Sequence, residues 1–107
     1  MRERTMRDAL KRELVRCDIP EHMHEGLIEW ILNGRPVGNF LTAILENDLR
    51  EACARADEKN KYRLFNYIQF LHNNAPMGCW GSPELTEEWA RHQGLLNFDT
   101  KDDPRQI

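Results

Sequence analysis

VGNFLTAILENDLREACARA, residues 37–56, decides how the whole chain reads. At roughly 100° per residue, Val37, Phe40, Leu41, Ile44, Leu45, Leu49, Ala52 and Ala56 fall in one arc roughly 180° wide, the apolar stripe of a single amphipathic helix. Asp48 and Arg55 stand near the middle of that stripe. An ionised group buried without partners costs several kcal/mol. These two side chains therefore pair, meet a polar group elsewhere in the fold, or line a wet pocket that holds a ligand.

Outward from this segment the pattern stays helical. Met6, Leu10, Leu14 and Cys17 recur at helical spacing and predict a first helix over about 3–17, stopped by Asp18, Ile19 and Pro20. Pro20 suits the first turn of a second helix that runs to about Asn33 with Leu27, Trp30 and Ile31 inward. Asn33 to Pro36 is a breaker. Beyond the third helix, Asp57 reads as the N-cap of a fourth over 58–73. There Leu64, Phe65, Ile68 and Leu71 make one stripe, with Tyr62, Tyr67 and Phe70 outside it. Such an all-round apolar helix is central to its domain or covered by another subunit, so a homo-oligomer is expected. After a loop rich in Gly, Asn and Pro, Ser82 and Pro83 read as N-cap and first turn of a last helix carrying Leu85 and Trp89 and ending before Gly94. The expected fold is all-α: a compact orthogonal array of four to five helices in a single domain over 1–98, with a polar, frayed tail over 99–107.

Composition narrows the function. With 40% hydrophobic and 31% charged residues, 107 residues suffice for one ordinary core without metal or disulfide. No apolar run is long enough to span a membrane and the charged start is no signal peptide, so a cytoplasmic protein with no membrane partner is expected. Cys17, Cys53 and Cys79 are widely spaced and read as reduced thiols. A net charge of −3 argues against a dedicated nucleic-acid binder. Residues 2–16 nonetheless carry six cations against three carboxylates. Arg4, Arg7 and Lys11 share one face there, to be read as a solvated face of i,i+4 pairs such as Asp8 with Arg12, or as a landing surface for phosphate or an acidic partner.

The runs GNFLTAILENDLREACARAD, FNYIQFLHNNAP and CWGSPE resemble a widespread group of small, uncharacterised bacteriophage and prophage proteins with the pattern G-x-F-L-x-A-x-L-x-N-D-L, then R-A-D, N-x-x-P and W-G-S-P. The pattern falls on Gly38, Phe40, Leu41, Asn47, Asp48, Leu49, Arg55, Ala56, Asp57, Asn73, Pro76, Trp80, Gly81 and Ser82. The resemblance implies a phage accessory protein in the host cytoplasm, of the kind that blunts a host defence by inhibiting a protein or sequestering a nucleotide signal.

Candidate site residues follow from both lines of reading: Asn47, Asp48, Arg55, Asp57, Asn73, Trp80 and Ser82. Asp48 and Arg55 lie about 10 Å apart along a helix axis, too far to pair directly. Either Arg55 takes Glu51 while Asp48 caps a helix or meets the 74–82 loop, or the two wall a polar pocket, guanidinium for an anion and aspartate for a hydroxyl or amine. Trp80, between Gly78 and Gly81, plugs the core or offers a stacking platform. Ser82 is a cap, lacking the surroundings of a nucleophile. His22, His24, His72 and His92 lack metal-site spacing, so no metal or cofactor is expected. The expectation is a non-catalytic binding protein that captures a small anionic, nucleotide-like ligand. The alternatives are a protein–protein inhibitor of a host defence or CRISPR complex, and a small metal-dependent hydrolase using Asp48 and Glu51.

Overall fold

The N–D pair at the centre of the quoted segment ends one helix and starts another. In the computed structural model, which describes residues 2–97, the segment forms α3 (Asn39–Leu45) and α4 (Leu49–Arg55). Asn47 adopts φ 62°, a left-handed conformation that asparagine tolerates better than most side chains. Its N–H donates to Ile44 O at 3.1 Å and that of Asp48 to Ala43 O at 2.8 Å. These are the two reversed bonds of a Schellman C-cap. Asp48 then caps the next helix, its Oδ1 accepting the Glu51 N–H at 3.2 Å. The single helix expected over 37–56 is corrected accordingly. The helical phase is lost at residues 46–48, so the stripe that placed Asp48 and Arg55 among buried side chains does not exist.

The other elements are α1 (Arg2–Arg16), α2 (His24–Asn33), α5 (Leu64–Asn74) and α6 (Pro83–Arg91), with short 3-10 turns at Glu21–Met23, Met77–Cys79 and Leu95–Asn97. Among the described residues there are six α-helices and no strand, one helix more than the expected four to five. The all-α class stands. The tail over 99–107 lies outside the described residues. The radius of gyration is 13.1 Å, what a close-packed domain of this length has.

Local chemistry explains most boundaries. Asp18, at φ 58°, closes α1 as Asn47 closes α3. Ser82 Oγ accepts the Leu85 N–H at 3.2 Å and Pro83 follows in the first turn of α6, as the sequence predicts. Asp57 departs from expectation. Its carboxylate accepts the N–H groups of Lys59 and Asn60 at 3.0 and 2.9 Å, capping a turn rather than a helix, and α5 begins only at Leu64.

α5 also buries a different face from the expected one. Tyr67, Phe70 and Leu71 are buried while Phe65 is 72% exposed, the reverse of the faces expected for Phe65, Tyr67 and Phe70. Tyr67 is held by its hydroxyl, which donates to Oδ1 of the buried Asn60, and by an edge-on contact with Phe40 at 5.3 Å between ring centroids. The core gathers Leu14, Leu27, Ile31, Leu32, Leu45 and Trp89 around these rings. Arg7 does not stay on an outward basic face. It pairs with Glu3 and reaches α2 to pair with Glu25 and Glu29, clamping α1 to α2.

Candidate functional site

The break between α3 and α4 opens a cleft of about 450 Å³. Ala43 and Ile44 of α3 form one wall, Leu49 and Ala52 of α4 another, and Leu64, Phe65 and Ile68 of α5 the side opposite. Trp80 and Gly81 complete it. The Trp80 loop is fixed there because the Gly81 N–H donates to Leu45 O, the freed carbonyl at the end of α3, at 2.7 Å. Gly81 holds φ 123°, which side chains rarely adopt.

Three expected site residues meet at this cleft. Asn47 and Asp48 form its rim, and the half-buried Trp80 its wall. Four do not. Arg55 ends α4 at 51% side-chain exposure, its Nε donating to Glu51 Oε2 at 3.3 Å on a shallow surface beside Asn39 and Phe40. Asp57 sits in its own turn, facing His22 Nε2 at 3.4 Å. Desolvation pushes its carboxyl up, and the amides of Asn60 and Lys59 with the His22 ring together outweigh it, holding it below the ordinary carboxylate range. Asn73 lines a different groove, between α1 and the loop after α5. Ser82 is committed to its cap. The polar pocket walled by both Asp48 and Arg55 is thus not assembled.

Of the eight lining residues outside the expected site, Leu49 and Phe65 are the two that stand most in water. Both line the cleft, yet they are 67% and 72% exposed. Helical periodicity places each on a buried stripe. The signal for Leu49 lay in N-D-x-x-E, a helix stop followed by a cap and its acidic partner at the third helical position.

Among the lining residues Asp48 alone is charged, and its Oδ1 is engaged in the cap. Elsewhere, burial pushes the Cys79 thiol up to about 12, which leaves it an inert core group. Trp30 anchors that segment by donating its indole N–H to Cys79 O at 2.9 Å. No group of three His, Cys, Asp or Glu side chains among the described residues is placed to hold a metal, and no described helix is long and apolar enough to cross a membrane. No family model matches the chain, and no curated protein or solved structure matches it.

Proposed function

We propose that the chain is a small accessory protein, of phage origin as its motifs imply, that acts in the host cytoplasm by binding an apolar segment of a host protein in the cleft between α3, α4 and α5. The observation that carries this reading is the lining itself. Leu49 and Phe65 stand largely in water beside an apolar hollow that already has a Trp80 wall. Covering a large apolar side chain fully returns about 1.5–3 kcal/mol, and aromatic anchors in pockets dominate protein interfaces.

A nucleotide-like anion is the weaker reading, because no cation lines the cleft and Arg55 is paired with Glu51 outside it. Binding is favoured over hydrolysis since Asp48, the sole titratable lining residue, serves as a cap.

The test places a photo-crosslinking amino acid at Leu49, with the same substitution at the exposed Met77 beside a different groove as control, in host cells. The expected result is a discrete host-protein adduct at Leu49 and not at Met77. That protein, purified, should bind the wild type and lose binding to Phe65→Asp. Absence of any host adduct at Leu49, or equal binding by Phe65→Asp, overturns the proposal.

A further inference from the structure

We infer that the groove between α3 and α6 is a binding site for a short aliphatic diamine. The groove shares no lining residue with the cleft, so the inference stands apart from the host-protein reading.

The groove holds about 290 Å³, the small end of what a compact ligand occupies. Leu45 and Glu46 at the end of α3 form one wall, and Glu87 and Ala90 of α6 the other. The buried Trp30 and the half-buried Val37 add apolar surface.

The polar side chains of the lining divide into two kinds. Every neutral one is already spent on a backbone carbonyl. The Trp30 indole N–H donates to Cys79 O at 2.9 Å, the Thr86 hydroxyl to Pro83 O at 2.9 Å and the Thr42 hydroxyl to Val37 O at 3.4 Å. The two charged ones, Glu46 and Glu87, have no hydrogen-bond or ion-pair partner among the described residues. What the groove offers a ligand is therefore apolar surface and two free carboxylates, one on each wall.

The chain does not supply the countercharge from nearby. Arg35 and Arg91 adjoin the lining residues Pro36 and Ala90 in sequence, yet Arg35 is held by Glu29 and Arg91 by Glu88. Arg50 stands on α4, beyond the break, and does not line the groove. The occupant that complements this lining has a cation at each end and methylenes between. An ammonium group is donor only, which suits a carboxylate, and the methylenes cover apolar surface. A lysine side chain, charged at one end, would use one wall. An anion would meet like charge on both.

Titration with putrescine at low ionic strength, followed in amide NMR spectra, tests this. The amides of Glu46, Glu87 and Ala90 should shift and saturate with a Kd of about 1 mM. Glu46→Gln and Glu87→Gln should each raise that Kd about fivefold, the upper end for one solvent-facing ion pair. Butylamine, with one charge, should bind weaker than putrescine by a similar factor, and butanediol should leave the spectra unchanged. Glu84→Gln, on the same helix but outside the groove, should bind like the wild type.

Groove amides that stay fixed in putrescine overturn the inference. Butylamine binding as tightly as putrescine overturns it too, because one wall would then suffice. So does a Glu84→Gln variant weakened as much as Glu87→Gln, the mark of general attraction to an acidic helix.

Discussion

The indole N–H of Trp89 donates to the backbone carbonyl of Trp30 at 2.8 Å, tying α6 to α2 in the interior. Both rings are buried, so the bond forms where no water competes for either group. Trp89→Phe keeps an aromatic ring and drops the donor. It should cost about 0.5–1.5 kcal/mol for the lost hydrogen bond, because Trp30 O still accepts the Gly34 N–H at 2.9 Å, with a further cost for lost volume. Urea unfolding with a constant m-value checks it.

Tyr67 and Asn60 form the second interior link. Burial pushes the Tyr67 hydroxyl well above the ordinary tyrosine range, and the Asp57 charge adds to it while Arg63 opposes. The folded chain thus keeps a proton that the unfolded chain releases near pH ~10. Stability from this group is full below that pH and falls as pH rises beyond it. Tyr67→Phe should flatten that alkaline decline. At neutral pH it should cost about 1–3 kcal/mol by leaving Asn60 Oδ1 unpaired. Stability measured at pH 9 to 11 (about one unit either side of the unfolded value) distinguishes the two effects.

Asp48 separates capping from charge. Asp48→Ala removes the oxygen that accepts the Glu51 N–H and should destabilise by about 1 kcal/mol, whereas Asp48→Asn should be near neutral. Equal losses in thermal unfolding would show that the charge, and not the cap, holds the α3–α4 junction.

Gly94 has φ 85°, and a Cβ there would strike the backbone nitrogens of Asn33 and Gly34 at the end of α2. Rigid backbone on the other side leaves no flexible side chain to move aside. Gly94→Ala should cost about 2 kcal/mol or more, combining left-handed strain with displacement of the Leu95–Asn97 turn. A melting point equal to the wild type's would contradict this close approach.

Phe65→Ser and Leu49→Ser should change stability by no more than about 0.5 kcal/mol, because both side chains already face water. A much larger loss in denaturant unfolding would place them in the core and remove the argument for the cleft as a binding surface.

Features that depend on a few adjacent residues were legible in the chain. Ser82 and Pro83 mark a helix start by their own hydrogen-bonding and φ preferences, and the structure uses both. Leu27, Trp30 and Ile31 carry enough helical periodicity to mark the buried face of α2. The reading failed where phase had to be carried across a junction. Summing angles through Asn47 and Asp48 assumed one axis, and two exist. On α5 two adjacent apolar faces compete, and periodicity does not say that the Tyr67, Phe70 and Leu71 face is the one covered while Phe65 stays in water. Of the site, Asn47, Asp48 and Trp80 were legible, while Leu49 and Phe65 were hidden because an apolar residue on a periodic stripe looks like core.

The amino-acid order alone determined that this chain is helical and where its strongest caps fall, since both follow from interactions within a turn or two of the backbone. Tertiary structure decided which apolar side chains remain in water. That choice depends on how α3, α4 and α5 are oriented by distant partners, the Gly81 N–H on Leu45 O and the Tyr67 hydroxyl on Asn60. Burial is a property of the assembled surface, and no local pattern encodes it.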